Sequence, residues 1–175
     1  MTDLIMLEAG LLTIEFRRAA ERYAHQIFTG KGGERRLLLE SIEGDGDHPW
    51  PPSPPLQELH VERQPDGRQV ALLVGRAGRS HWSLSVEPFE NRLVFDAACR
   101  LSGEAEWLGS SYRAAADAAI ADGVAIFAGG RLRLVSAEAD GASLGVEAGV
   151  LQVRAARRAA SGARTARWRY AIESP

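Results

Sequence analysis

Alternation with a period of two residues is the feature that most limits how this chain folds. Successive side chains of a strand point to opposite faces, so the alternation names both the element and its buried side. In "LLTIEF", Leu12, Ile14 and Phe16 fall on one side, with Thr13, Glu15 and Arg17 on the other. "RYAHQIFTG", "RRLLLESIE" and "LQELHVER" follow the same grammar, the last setting Leu59 and Val61 against Glu58, His60 and Glu62. "QPDGR" then supplies a turn, with Pro65 presetting φ and Gly67 tolerating a positive φ.

"QVALLVG" is apolar on both faces, the pattern of a central strand covered on both sides. Downstream, "GVAIFAGGRLRLVSAE" reads as two strands joined at Gly129-Gly130, and "GVLQVRA" as another. In "ARWRYAIES", Ala166, Trp168, Tyr170 and Ile172 point inward and Arg167 and Arg169 outward. The expected fold is all-β: about ten or eleven antiparallel strands in one domain over residues 1–175, as a β-sandwich with a closed β-barrel as the alternative. "SSYRAAADAAIADG" has the alanine density of a helix, a serine at its start and Gly123 as a stop, which allows one short helix near 111–121. The proline-rich "EGDGDHPWPPSPP" imposes an extended path, suited to crossing between sheets or covering an edge.

Composition narrows the class. A 175-residue chain with net charge −2 has a core-forming size and no global field that favours nucleic acid or an acidic membrane. Lys31 is the only lysine, a bias too uniform to mark a site. Cys99 stands alone, so no intrachain disulfide or thiolate metal cluster is available. Asp3 and Glu8, with no basic segment before an apolar core, argue against a secretory signal, and no apolar run approaches the ~18 residues of a membrane span. The expectation is a cytoplasmic protein with no cofactor and no membrane contact.

The densest chemistry lies in "GRAGRSHWSLSVEPFENRLVFDAACR", residues 75–100. Trp82, Leu84 and Val86 share one face, leaving His81, Ser83, Ser85 and Glu87 opposite; Leu93, Phe95, Ala97 and Cys99 are the core set of the next strand. A loop from Pro88 to Asn91 keeps both apolar sets on one side and sets Glu87 opposite Arg92, Ser83 opposite Asp96 and Trp82 opposite Ala97. Ser83 and Asp96 are then about 5 Å apart, with His81 diagonal at about 7 Å from Asp96. A hydrolytic triad needs histidine in the middle, and here serine would occupy that place. A strand also commits its N–H groups to the ladder, leaving no oxyanion hole. The stretch reads as a hairpin whose polar face, His81, Ser83, Asp96 and Arg100 with Trp107 nearby, offers a ligand-binding surface. Cys99 falls on the core face as an inert thiol.

Other patterns are weaker. Glu58 and Glu62 lie ~13 Å apart along a strand, too far to share an ion, and Asp45, Asp47 and His48 in "GDGDH" lack the further ligands of a calcium loop. "GKGGE" lacks the spacing of a phosphate loop. From Arg154 to Arg169 six arginines accompany Trp168 and Tyr170, but alternation turns rings and arginines to opposite faces. "PWPPSPP" suits docking in an aromatic groove or packing Trp50 on its own sheet. The leading expectation is a non-catalytic domain that binds a small molecule or protein through His81, Ser83, Asp96 and Arg100, or through the loop around Trp50. Two alternatives stand beside it: an enzyme pairing His81 with Asp96, or Glu58 with His60, and an arginine-rich nucleic-acid binder through 154–169.

Overall fold

The structure, a computed structural model, describes residues 4–135, 142–155 and 165–175. It is a two-layer antiparallel β-sandwich. The strands are β1 (Ile5–Ala9), β2 (Leu12–Ala19), β3 (Arg22–Thr29), β4 (Arg36–Ser41), β5 (Glu58–Arg63), β6 (Gln69–Ala77), β7 (Ser80–Phe89) and β8 (Arg92–Arg100), followed by β9 (Gly109–Ala114), β10 (Ala119–Ala121), β11 (Val124–Phe127), β12 (Gly130–Leu134), β13 (Ser143–Glu147), β14 (Val150–Arg154) and β15 (Thr165–Glu173). Seven form one sheet in the order β1-β2-β3-β4-β9-β14-β13, and eight form the other in the order β10-β11-β12-β15-β8-β7-β6-β5. The sheets stay separate, so the barrel alternative is not adopted. Fifteen strands are present rather than ten or eleven; β9 and β10, for instance, occupy the stretch whose alanine density suggests a helix.

The helix expected near 111–121 is absent; β9 and β10 occupy that stretch. Asp122 and Gly123 both have positive φ (51° and 74°) and form the two-residue turn between β10 and β11, a hairpin signal rather than a helix stop. Ser110, Ser111 and Tyr112 are buried, and β9 is paired between β4 and β14. Tertiary pairing overrides the alanine propensity of the following residues. Among the described residues the only helical turn is a 3₁₀ segment at Gly32–Glu34, and no helix is long and apolar enough to cross a membrane.

Inward faces follow the alternation. Leu12, Ile14, Phe16 and Ile27 from one sheet meet Leu84, Val86, Phe95, Trp168 and Tyr170 from the other. Phe95 and Tyr170 stack at 4.8 Å with rings nearly parallel. β6 departs from expectation: Leu72 and Val74 are exposed, at 37% and 48%. In a two-layer fold only one face of each sheet meets the other layer, and nothing among the described residues covers the outer face of β6 here.

The proline-rich loop crosses from β4 in the first sheet to β5 in the second. It is strapped down rather than free. Ser53 Oγ accepts from the Ser111 N–H (3.0 Å) and donates to the Ser111 carbonyl (3.2 Å), while Trp107 Nε1 and Ser111 Oγ both donate to the Pro52 carbonyl. Trp50 packs edge-on against Trp82 at 6.0 Å. The strap ends where Gln57 pairs with β6: its N–H donates to the Val74 carbonyl, and its side-chain amide both donates to and accepts from the Arg76 backbone, at 2.9 Å each.

Candidate functional site

The outer face of the eight-stranded sheet is organised by two tight turns. Gly78 and Arg79 close the β6–β7 hairpin, with Gly78 in the left-handed region (φ 56°), so Arg76 lies opposite His81. Glu90 and Asn91 close β7–β8, with Phe89 opposite Arg92. This corrects the four-residue loop read from the sequence. Pro88 is inside β7, not in the turn, and the β6–β7 pairing ends at Val86, so its missing N–H breaks no bond to β6. Two residues move from loop to strand. The faces stay as expected because the shift is even, but every partner changes: Ser83 lies opposite Ala98, Asp96 opposite Ser85, Trp82 opposite Cys99 and Glu87 opposite Val94.

The ladder arranges the exposed face in rows. The first runs Arg76–His81–Arg100–Thr165 across β6, β7, β8 and β15, and the second Glu58–Val74–Ser83–Ala98–Arg167. The third runs His60–Leu72–Ser85–Asp96–Arg169. Neighbours within a row are about 5 Å apart and successive rows about 6.6 Å. Between the first two rows lies an open groove of about 650 Å³, lined by Arg76, His81, Ser83, Ala98, Arg100 and Val74 among others. Of the four residues singled out in the sequence, His81, Ser83 and Arg100 therefore converge, and Asp96 does not. It stands two rows from His81, roughly 13 Å along the strands. Its carboxylate accepts from Arg167 Nε at 2.7 Å and from the same guanidinium's second nitrogen, with Arg169 Nε at 3.9 Å.

Glu58 and His60 occupy different rows of β5, two residues apart and both exposed. Among the described residues no three histidine, cysteine, aspartate or glutamate side chains are placed to hold a metal ion. His48 in the "GDGDH" loop accepts a bond from the Trp50 N–H through Nδ1 at 3.1 Å. Of the arginine-rich segment, residues 156–164 lie outside the described residues. Trp168 and Tyr170 point into the core as the alternation requires, Arg154 bonds Gln152, and Arg167 and Arg169 face Asp96. Cys99 is buried, and burial pushes its thiol up to about 12. A second groove, of about 550 Å³, is lined by Met6, Glu8, Arg63, Arg68 and Phe89; there Arg68 is already paired with Asp66 at 2.6 Å.

Sequence reasoning missed Arg76, whose place depends on the Gly78-Arg79 turn. It also missed a polar network inside the core. His25 Nε2 and Tyr112 Oη are 3.0 Å apart, and Tyr112 Oη and Tyr170 Oη 2.6 Å. Trp168 Nε1 donates to Ser110 Oγ at 3.0 Å. Ser41 Oγ accepts from the His25 N–H at 2.8 Å and donates to Glu43 Oε1 at 2.5 Å. These groups come from β3, β4 and β9 in one sheet and β15 in the other, and tie the two layers with directional bonds. Burial holds the His25 imidazole neutral, its pKa lowered to about 3, and raises both tyrosine hydroxyls. His25, Tyr112, Tyr170 and Trp168 are all sealed from solvent, so the network serves the fold.

Glu43, at the rim of this network, carries a testable linkage. Burial raises its carboxyl to about 7, opposed by the Ser41 hydroxyl and by the charge of Arg22, whose guanidinium bonds the Glu43 and Gly46 carbonyls. A raised carboxyl pKa contributes stability below its unfolded value, 4.5, that is lost as pH rises through about 7. His25 acts oppositely: its contribution is present above 6.5 and lost as pH falls towards 3. Glu43→Gln is therefore expected to steepen the loss of stability on acidification from pH 8 to pH 5. The Glu43 side is half-buried and solvent-screened, so the difference from wild type is on the order of 1–2 kcal/mol across that range. Urea midpoints at both pH values check it; parallel profiles for the two proteins would contradict the linkage.

Comparison with known proteins finds no protein family, no curated protein and no solved structure that this chain matches.

Proposed function

We propose that the chain is a non-catalytic binding domain that receives a ligand on the outer face of the eight-stranded sheet, over His81, Ser83 and Arg100. The observation that carries this reading is the groove between the first two rows. Its floor is low because Ser83 and Ala98 are small and Val74 is exposed, and the longer side chains of Arg76, His81 and Arg100 stand along one side. Among the described residues none of the four polar side chains has a hydrogen-bond or ionic partner, so their donors are available to a guest. The support is rigid: β7 and β8 are interior strands, and the Gln57 amide fixes the backbone of Arg76. Convergent polar groups beside a small apolar floor are what a ligand cleft requires.

A binding role fits this geometry better than acid–base chemistry. Asp96 is bridged by Arg167 and faces Arg169, and His81 has arginines, not a carboxylate, as its cross-strand neighbours. We place the protein in a reducing cytoplasm, in keeping with its single buried thiol. The ligand is a small molecule or a protein side chain small enough for the groove, not nucleic acid.

Ligand-observed NMR with a mixture of small organic fragments tests the reading. Ala98→Trp fills the floor while leaving the inward face untouched. Fragments that bind wild type are expected to lose binding by roughly tenfold or more in this variant, with its urea midpoint preserved. Fragment binding unaffected by Ala98→Trp would remove the groove as the site.

A further inference from the structure

We infer that the arrangement of charge in this groove selects an oxyanion: a carboxylate or phosphate group held between the guanidinium groups of Arg76 and Arg100, with the His81 imidazole between them. This rests on the binding role proposed for the same groove and specifies its ligand chemistry. Most other outward arginines on this sheet already have partners: Arg68 meets Asp66 and Glu87, Arg131 and Arg133 share Glu173, Arg167 and Arg169 flank Asp96, and Arg92 lies over the Phe89 ring. Arg76 and Arg100 are not in an ion pair among the described residues. They are also set on either side of one histidine in a single row, each directly opposite it.

Arg76 and Arg100 carry like charges in one row with no ion-pair partner, and an anion held between them offsets their mutual repulsion. Guanidinium groups present planar forks that match carboxylate and phosphate oxygens. The two strands that carry them are two strand spacings apart, about 10 Å, which long arginine side chains can close from both sides around one small anion. Ser83 in the adjoining row and Thr165 at the end of the first row add hydroxyl donors within the same groove. One acid lines the groove, Glu58, opposite Val74 on the edge strand β5. It lies in the second row, at the β5 side of the floor, and repels an anion from that corner, which keeps the oxyanion over the first row.

The test is calorimetric titration of the full chain with inorganic phosphate, with acetate and with the cation tetramethylammonium, at constant ionic strength because salt screens exposed charge. Phosphate and acetate are expected to bind and tetramethylammonium not to bind. Arg76→Gln and Arg100→Gln are each expected to weaken phosphate by about tenfold, the scale of one charge-assisted hydrogen bond. Glu58→Gln is expected to tighten it by roughly two- to fivefold as a nearby repulsion is removed. Ala98→Trp is expected to abolish it. Equal phosphate affinity in wild type and both arginine variants overturns the inference. So does a groove that takes neutral fragments, blocked by Ala98→Trp, yet binds neither anion; there the binding role stands and the ligand chemistry fails. If neither fragments nor anions respond to Ala98→Trp, the proposed function itself falls.

Discussion

Trp168→Ala is expected to destabilise the fold by about 3–5 kcal/mol, the cost of emptying a large buried aromatic site that cannot collapse fully. Trp168 is fully buried in β15, at the centre of the eight-stranded sheet, between β12 and β8. Its indole N–H donates to Ser110 Oγ in the opposite sheet, so the truncation also removes a bond between the layers. The neighbouring variant Tyr170→Phe keeps the ring stacked on Phe95 and loses the hydroxyl's contacts with Tyr112, at 2.6 Å, and with Ser110; about 1–2 kcal/mol is expected. Urea denaturation gives both numbers, with the midpoint lowered and the slope unchanged. A Trp168→Ala protein within 1 kcal/mol of wild type would contradict the layer packing.

Gly75→Ala is expected to cost roughly 2–4 kcal/mol, far beyond the usual effect of adding one methyl group. A Cβ at Gly75 stands 1.7 Å from the Pro55 carbonyl oxygen, 2.8 Å from its carbon and 3.0 Å from the Gln57 nitrogen. All three are backbone atoms, so the strap must move and with it the Gln57 bonds to Val74 and Arg76. Because Gln57 and Arg76 line the groove, ligand affinity is expected to fall together with stability. Gly67→Ala is the control. Nothing lies within 4 Å of a Cβ there, and only its φ of 85° is strained, for about 1 kcal/mol. Similar losses at the two glycines would mean that the strap does not press on β6.

The faces of the strands were legible in the sequence, and the partners were not. Alternation put Trp82, Leu84, Val86, Phe95, Trp168 and Tyr170 inward, and the structure buries all six. Register depends on where a turn starts, and Pro88 looked like a loop residue because nothing in the sequence says that β6 stops pairing at Val86. The same limit hid Arg76, which reaches His81 only through the Gly78-Arg79 turn. Leu72 and Val74 are exposed although "QVALLVG" is apolar on both faces, because a hydrophobic pattern does not say how many layers a fold has. The Asp122-Gly123 turn carried a usable hairpin signal, masked by the alanines before it. The His25–Tyr112–Tyr170 network joins strands far apart in the chain, and no local pattern announces such a meeting.

The row that places His81 between Arg76 and Arg100 underlies both the binding surface and its charge, and a cross-strand NOE map of β6, β7 and β8 measures it directly. Residues directly opposite in an antiparallel ladder give short Hα–Hα or amide–amide contacts. The expected contacts are His81 with Arg76 on one side and Arg100 on the other, and Ser83 with Val74 and Ala98. Contacts of Ser83 with Asp96 and of His81 with Ala98 would shift β8 by two residues, remove Arg100 from the row and contradict the site.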